Sequence, residues 1–294
     1  MRYSVKAAAR ATGVTESALR TWERRYGVPR PSRSPTGRRL YDDSDLDIIR
    51  RMAALTEAGL PASEAASAVL AGSAPTPPSP VPERNPFIGR VVETALAHDE
   101  KPLVELLRQA TESLGWADAI EGVYFGALRE IGGMWRNNRV PSATEHFLTE
   151  IMRREICRAI AEQEAPAEGP VAILACPQDE RHDLGLLSLS LLLRMRGVKV
   201  CYLGSDVPTE DLIDILGGES VAAVCIGATL DSSRASATRA ARQIVAAKLD
   251  RAVFVGGPAF AHGEVDGFVP GIMLPGGLGA AADVIEDRIK KETK

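Results

Sequence analysis

Short continuous runs of apolar residues alternate with helical patterns over the last third of the chain. Each run is bounded by Gly, Asp or Pro, which is typical of strands buried on both faces of a parallel sheet; the runs are 171–176, 199–203, 222–226, 252–255 and 271–274. Helical periodicity predicts the intervening helices, at 184–195, 209–216, 234–249 and 278–291. The pattern therefore predicts an α/β doubly wound parallel sheet, flavodoxin-like in its layers, over residues 166–294.

The middle of the chain, residues 86–163, carries apolar residues at helical spacing. Four amphipathic segments with short connections predict an antiparallel four-helix bundle, which we place at residues 87–165. The connection between its third and fourth helices holds Trp135, Glu145 and His146. On local chemistry alone the simpler interpretation is structural, with Trp135 packed at a helix end and Ser142 forming a capping box with Glu145.

The first seventy residues have the pattern of short helices with a β-wing. Ser4 is placed to cap a helix over 5–11, Gly13 lies in a tight turn, and Thr15 is placed to cap a helix over 16–26. A loop rich in Pro, Gly and Arg follows, and then a helix over 44–59. This order predicts a winged helix-turn-helix over residues 1–70. Residues 71–86 contain six prolines, which predicts a stiff, extended spacer.

The formal charge is divided unevenly along the chain. The whole protein carries −4, but residues 1–41 hold ten Lys and Arg against two Glu, which gives +8 and leaves −12 for the remainder. A compact basic head predicts a polyanion as partner for that head alone, because neutralising phosphates requires local positive charge. Charge by itself leaves a solvated basic face as an equally good interpretation.

The run ALRTWERRYGVPRPSRSPTGRRLYDDSDL, which begins at residue 18, favours DNA as that polyanion. It resembles the recognition helix and wing of the MerR family of transcriptional regulators, and the resemblance extends over residues 2–70. Double-stranded DNA is the partner that this implies. The implied contacts are Arg20, Arg24, Arg25 and Tyr26 from the recognition helix, and Arg38, Arg39 and Tyr41 on the phosphate backbone at the wing. Many MerR relatives place a dimerising helix where this chain has its proline spacer, so we expect the body to form a homo-oligomer.

Ligands of doubly wound sheets bind beyond the carboxyl ends of the strands. No strand end here carries GxGxxG, which argues against a dinucleotide. His182 follows the first strand and is flanked by Asp179, Glu180 and Asp183. A neutral imidazole binds transition metals well, and a carboxylate on its other ring nitrogen fixes the tautomer. A lone histidine in a loop is nevertheless more often only solvated.

Glycines at the other strand ends favour a bound ligand. Gly227, Gly256 and Gly257 remove side chains where a large flat ligand or a nucleotide tail would pass close to the backbone. With Glu180-x-His182-x-x-Gly185 and with Thr229, they resemble the cobalamin-binding domain of methionine synthase, corrinoid proteins and cobalamin-dependent mutases. This implies cobalamin as the cofactor and His182 as the cobalt ligand, with Glu180 or Asp183 orienting the ring. The bundle then resembles the helical cap over the upper face of the cofactor, which implies that Trp135, Glu145 and His146 shape that pocket.

The full order of parts resembles that of the light-responsive repressors of the CarH and LitR type. This implies adenosylcobalamin, a response to light, and no enzymatic activity. Two positions depart from the pattern. The residue after the cap tryptophan, a histidine that becomes the upper cobalt ligand in these sensors, is Arg136, which cannot ligate because it stays protonated. The serine of the usual Ser-x-Thr/Leu motif is Gly227.

Two other functions stay open at this point. One is a regulator of the same fold whose sheet binds another ligand or a protein partner. The other is a corrinoid-carrying methyltransferase subunit, which would need a catalytic partner and would leave the basic head without a role. The first residues lack the apolar run of a signal peptide and no stretch is long enough to span a membrane, so we expect a cytoplasmic protein. The four cysteines lack CxxC spacing and predict neither a zinc site nor disulfides.

Overall fold

A computed structural model of the protein describes residues 2–34, 37–57, 62–70, 85–137, 139–164, 168–218, 220–249, 251–260 and 269–292. The chain divides into two compact units, Met1–Arg84 and Asn85–Lys294. Most of the predicted proline spacer, residues 71–84, lies outside the described residues. Within the described part of the chain, no helix combines the length and the hydropathy needed to cross a membrane.

The first unit is the predicted winged helix-turn-helix. Its elements are α1 (Val5–Thr12), α2 (Glu16–Tyr26), the antiparallel wing strands β1 (Ser32–Arg33) and β2 (Arg39–Leu40), α3 (Asp43–Glu57) and α4 (Ala62–Leu70). Ser4 and Thr15 cap α1 and α2 as predicted, and Gly13 ends α1 with a φ of 75°, in the left-handed region that favours glycine. The sequence analysis missed α4. Among its residues whose burial is described, two of the three buried positions are alanines, Ala65 and Ala66, which give a weak apolar pattern.

The second unit begins with the predicted four-helix bundle. Its elements are α5 (Pro86–Leu96), α6 (Glu100–Leu114), α7 (Trp116–Asp118), a π-helical segment (Ala119–Tyr124), α8 (Phe125–Arg136) and α9 (Ser142–Ala161). The third predicted helix is thus a composite of α7, the π-helical segment and α8. The predicted capping box is wrong. Pro141 is the N-cap residue, so Ser142 is already helical, and the Glu145 carboxylate instead accepts a hydrogen bond from Thr149 Oγ1 at 3.0 Å.

The sheet that follows is parallel throughout. Its elements are β3 (Val171–Pro177), α10 (Leu184–Met195), β4 (Lys199–Val207), α11 (Thr209–Leu216), β5 (Val221–Gly227), a 3-10 turn (Asp231–Ser233), α12 (Arg234–Ala246), β6 (Ala252–Gly256), a 3-10 turn (Pro258–Phe260), β7 (Ile272–Met273) and α13 (Leu278–Glu292). The strand order β4-β3-β5-β6-β7 confirms the doubly wound, flavodoxin-like prediction. The chain leaves β3 in one direction to form β4 and later returns to the other side of β3 as β5. The switch point therefore lies at the carboxyl ends of β3 and β5.

Strand β4 is longer than the sequence predicts. Residues 204–206 have the composition of a loop, but the strand continues through register shifts to Val207. Gly204 and Asp206 make this possible, because they adopt φ values of 83° and 59°. The extension brings the end of β4 beside the loop that leaves β3.

The bundle and the sheet share hydrophobic contacts. Leu184, Leu187 and Leu191 of α10 belong to the core of the bundle, while Trp116 and Tyr202 pack against both the bundle core and the sheet core. The segment that connects β3 to α10 therefore lies where both the bundle and the sheet can fix it.

Candidate functional site

The segment at residues 178–183, called here the His182 loop, donates hydrogen bonds to, and accepts them from, residues at the ends of β4 and β5, which are distant in sequence. The Asp206 N–H at the end of β4 donates to the Glu180 carbonyl at 3.0 Å, and the Asp206 carboxylate accepts from the Asp179 N–H at 2.8 Å. The Thr229 hydroxyl, just after β5, donates to the His182 carbonyl at 3.0 Å. The backbone of this loop is therefore fixed at the switch point of the sheet.

Glu180 is completely buried, and its carboxylate accepts four hydrogen bonds. Oε1 accepts from the backbone N–H and from ring Nδ1 of His182, both at 2.8 Å. Oε2 accepts from the backbone N–H groups of Thr229 at 2.8 Å and Leu230 at 3.2 Å. Burial opposes ionisation, but these hydrogen bonds outweigh it and hold the pKa of Glu180 below its usual range. Glu180 is therefore an ionised acceptor at neutral pH.

This arrangement fixes the tautomer of His182. An ionised carboxylate can only accept, so Nδ1 carries the hydrogen and the lone pair of the neutral ring lies on Nε2. The His182 side chain is 56% exposed, so the ring is accessible to a ligand. No group of three or more His, Cys, Asp or Glu side chains suited to a bare metal ion occurs among the described residues. His182 can thus supply one ligand to a metal ion whose other ligands come from a cofactor. Cobalamin fits this requirement, because its macrocycle supplies most of the ligands of the cobalt.

Asp183 does not orient His182, so of the two expected partners only Glu180 has that position. Both Asp183 oxygens accept from Arg153 of α9, Oδ1 from Nη2 at 2.6 Å and Oδ2 from Nη1 at 3.2 Å. Oδ2 also accepts from the Tyr202 hydroxyl of β4 at 2.6 Å. Burial opposes ionisation here too, but the hydrogen bonds from Arg153 and Tyr202 outweigh it, and the pKa of Asp183 lies below its usual range.

The sequence analysis missed Arg153 and Tyr202. The only signal for Arg153 is its position seven residues after His146, which places both on one face of α9. Nothing in the sequence distinguishes it from the adjacent Arg154, whose side chain pairs with Glu100 of α6. Tyr202 lies within an apolar strand and gives no signal of its own.

Packing within the protein already explains the glycines at the ends of β5 and β6. A Cβ on Gly257, whose φ is 109°, would lie 2.3 Å from the Ala228 carbonyl oxygen, so this position requires glycine. A Cβ on Gly256 would lie 3.0 Å from the Leu274 side chain, and one on Gly227 would lie 3.2 Å from a leucine of α10. Gly227 and Gly256 are register partners on β5 and β6, beside the His182 loop. Their role toward a ligand stays a prediction.

The residues predicted on the bundle lie on both sides of the connection between α8 and α9. Trp135 lies near the end of α8 and is 48% exposed, whereas Glu145 and His146 lie near the start of α9. His146 is 74% exposed and has Nδ1 at 3.0 Å from Glu145 Oε2. Within the described residues, no hydrogen bond or ion pair joins these three side chains to the His182 loop. Gly185, at the start of α10, is closer to the bundle, since a Cβ there would lie 4.0 Å from the Phe125 ring of α8.

The head presents most of the predicted arginines to solvent. Arg24 and Arg25 of α2 and Arg38 of the wing are exposed. Arg20 is also more than half exposed and forms an i,i+4 pair with Glu16 at 3.2 Å. These four side chains can reach phosphate or base edges. Tyr26 is half-buried and packs against the small core between α2, α3 and α4.

Two of the residues predicted to contact DNA from the wing have other roles in the structure. Tyr41 is fully buried in the core of the head and pairs with Tyr3 through its backbone, so the predicted contact of its side chain with phosphate is wrong. Arg39 is half-buried, and its guanidinium pairs with Glu23 of α2, which also binds Arg33 at 3.2 Å. Glu23 therefore fixes the wing against the recognition helix.

Comparison with known families matches three stretches of the chain. Residues 3–70 match the MerR HTH family of regulatory proteins. Residues 88–156 match one B12 binding domain family and residues 170–277 match another. These stretches correspond to the head, the bundle and the sheet.

Individual proteins agree with these matches. The HTH-type transcriptional repressor CarH of Myxococcus xanthus is 31% identical over 221 residues, which cover 71% of this chain and 73% of CarH. The repressor CarA of the same organism is 34% identical over 215 residues, which cover 72% of this chain and 71% of CarA. The monomethylamine corrinoid protein of Methanosarcina barkeri shares the fold, with a TM-score of 0.55 at 15% identity over 68% of this chain and 97% of its own. CarH and CarA are both transcriptional repressors, and the chain is accordingly a regulator and not an enzyme. It belongs to the family of MerR-type, cobalamin-binding transcriptional regulators that includes CarH and CarA.

Proposed function

We propose that this regulator senses light through adenosylcobalamin and that His182 is the protein ligand of the cobalt. The observation that carries the proposal is the buried, ionised Glu180, which holds the exposed His182 ring in the tautomer that presents a lone pair on Nε2. This donor lies at the switch point of the sheet, where ligands of such folds bind. When bound, adenosylcobalamin supplies a cobalt–carbon bond that light can break.

The other site residues are assigned from the resemblance and from their place in the fold. Thr229 supports His182 indirectly, because its backbone bonds Glu180 and its hydroxyl bonds the His182 carbonyl. The small residues at the strand ends would leave room for the nucleotide tail; they are Gly185, Gly227, Gly256 and Gly257. Trp135, Glu145 and His146 of the bundle would cover the upper face of the cofactor.

The head would bind double-stranded DNA through the exposed arginines of α2 and the wing. We assign residues 1–70 to DNA binding, 71–86 to the spacer, 87–165 to the cap and 166–294 to the cobalamin domain. Residues 85–294 would form the homo-oligomer, so that the state of the cofactor sets how many heads bind one DNA molecule.

The test of the cobalt ligand is the His182→Ala variant loaded with adenosylcobalamin or hydroxocobalamin. We expect it to lose the absorption spectrum of protein-ligated cobalamin and to bind the cofactor more weakly. Glu180→Gln should keep the ligand but weaken binding by about 10- to 100-fold, the usual cost of losing an outer partner of a metal-binding histidine. His98→Asn, at an exposed histidine of the bundle that this proposal gives no role, is the matched control. Spectra and affinity of His182→Ala equal to those of wild type would show that the cobalt is ligated elsewhere.

The response to light is tested separately, by measuring DNA binding of the loaded protein in the dark and after illumination. We expect illumination to change the affinity with adenosylcobalamin and to have no effect without cofactor. The second candidate is a cobalamin-dependent regulator that does not respond to light. Arg136 favours it, because the light-responsive pattern that this chain resembles has a histidine at this position. An unchanged affinity after illumination, in a protein that does bind cobalamin, would support that candidate.

A further inference from the structure

We propose that Arg153 is a positioning residue that couples the bundle to the cobalt-ligating loop through Asp183. The inference rests on the proposed role of His182. Through this contact, the His182 loop is connected to α9, the helix that carries Glu145 and His146 and is proposed to cover the opposite face of the cofactor.

The contact between Arg153 and Asp183 is bidentate and largely shielded from water. The Arg153 guanidinium donates to both carboxylate oxygens, at 2.6 and 3.2 Å, and the exposed fractions of the two side chains are 30% and 9%. Charge-assisted bonds of this fork type are both strong and geometrically specific. The Tyr202 hydroxyl occupies a further acceptor position of Asp183 at 2.6 Å. If α9 moved away from the loop, a buried carboxylate would lose its counter-ion, which is costly.

The sequence order makes this contact relevant to the ligand. Asp183 directly follows His182 along the chain, and Glu180 precedes it by two residues. Glu180 bonds the ring to the sheet side through Thr229 and Leu230, while Asp183 bonds the same short loop to α9. The position of His182 is therefore set jointly by the sheet and by the bundle.

Arg153 also connects to the other side of the proposed site. It lies two helical turns after His146 on one face of α9, so a displacement of the start of α9 is carried to Asp183 by a continuous helix. The neighbouring arginines do not provide this link. Arg154 pairs with Glu100 and Arg158 pairs with Glu155, and both carboxylates belong to the bundle itself.

Stability alone does not require an ion pair at this position. Replacing a buried ion pair by apolar side chains of similar size is often neutral or stabilising, whereas removing one partner is strongly destabilising. The double variant Arg153→Met with Asp183→Leu removes both charges together. It should therefore separate a structural role from coupling.

The experiment follows hydrogen exchange in the full-length protein with and without hydroxocobalamin. The two segments compared are the His182 loop and residues 150–161 of α9, which lie beyond the part of the helix that carries Glu145 and His146. In the wild type we expect cobalamin to slow exchange in both segments. Arg153→Met should lower the melting temperature of the cofactor-free protein, and the double variant should recover most of that decrease. In the double variant, cobalamin should slow exchange in the loop but no longer in residues 150–161 of α9. Arg153→Lys, which keeps the charge but not the bidentate geometry, should give partial protection of residues 150–161. Arg154→Met is the matched control and should behave as wild type.

Two results would overturn the inference in different ways. Full protection of residues 150–161 of α9 by cobalamin in a stable double variant would show that the pair serves stability alone. A wild-type protein with no cobalamin absorption band would instead refute the proposed function, and this inference with it.

Discussion

Arg136 is the residue at which this chain departs most clearly from the light-responsive pattern. It follows Trp135 at the end of α8 and is exposed. The Arg136 side chain extends back along α8, and its Nη1 lies 3.7 Å from the position that a Cβ on Gly132 would occupy. A guanidinium has no lone pair to donate at ordinary pH, so Arg136 cannot supply a second nitrogen ligand to a metal. His146 also has an exposed ring and a carboxylate oxygen near Nδ1, but Glu145 is partly exposed where Glu180 is fully buried.

We expect the illuminated wild-type protein to hold cobalamin with one protein nitrogen ligand, and Arg136→His to add a second. The second ligand should change the absorption spectrum. It should also slow exchange with free cobalamin by about tenfold or more, since tenfold corresponds to only about 1.4 kcal/mol. Arg139→His, an exposed position three residues further along, is the control. If the illuminated wild type already shows two nitrogen ligands, and His146→Ala loses one of them, His146 would be the upper ligand instead.

At the residue scale, the sequence predicts the pieces of the site that are close together along the chain. His182 and Glu180 can be paired from sequence because they are two residues apart in one loop. The sequence alone leaves open whether Glu180 or Asp183 orients the His182 ring, because both flank it. The answer depends on Arg153, Thr229 and other residues that are far away in sequence. The prediction for Tyr41 is wrong for a similar reason. An aromatic residue after a run of arginines resembles a DNA contact until the fold buries it.

At the scale of elements, α9 combines an apolar face with a cluster of charges inside the bundle. Glu155 is buried and accepts a bidentate pair of hydrogen bonds from Arg108 of α6 at 2.8 and 3.0 Å, and another from Arg158 at 3.2 Å. Burial opposes its ionisation, but the two arginines outweigh this and hold the pKa of Glu155 below its usual range. The pair joins α6 to α9 and so stabilises the bundle.

The stability that Glu155 contributes should depend on pH in a definite direction. Because its folded pKa is lowered, the contribution is complete above the ordinary glutamate value of about 4.3 and is lost as the pH falls through the lower folded value. At pH 7, Glu155→Gln should reduce the free energy of unfolding by about 1.5–3 kcal/mol, as expected for hydrogen bonds to a charged group. Thermal unfolding of wild type and variant between pH 7 and pH 3 measures this.

The difference in melting temperature between the two proteins should shrink as the pH falls below about 4.3. Glu112→Gln, at an exposed position of α6, is the control and should differ little from wild type at any pH. A difference for Glu155→Gln that stays constant across the range would show that the charge of Glu155 contributes nothing to stability.

Most helices and strands could be predicted because their apolar periodicity is strong. The helices at 184–195 and 209–216 agree with α10 and α11 at both ends. The failures have local causes. The alanine-rich α4 has little apolar contrast, and the end of β4 has the composition of a turn. The π-helical segment, which packs against α6, has no sequence pattern that distinguishes it from an α-helix. Ser142 has the residue type of an N-cap, but α9 begins at Ser142 itself and Pro141 is the N-cap residue.

At the scale of the whole molecule, the chain combines a basic head with an acidic body in two compact units. A single head with few phosphate contacts binds DNA weakly and with a steep salt dependence. If bodies associate, two heads are linked, and the second binding event becomes intramolecular. The cofactor can then control DNA binding without any change in the head itself.

This mechanism predicts that the effect of the cofactor depends on the length of the DNA. We would measure binding by fluorescence anisotropy to mixed-sequence duplexes of about one and about four helical turns, which accommodate one head or several. The cofactor state that associates the bodies, identified by sedimentation, should raise affinity for the long duplex by about 10²- to 10⁴-fold and leave the short duplex unaffected. Replacing Arg24 and Arg25 by Ala should weaken binding to both duplexes, and should reduce the slope of the salt dependence by about 0.9 for each phosphate that the head no longer neutralises. An equal effect of the cofactor on both lengths would contradict the mechanism, because the signal would then pass from body to head within one chain.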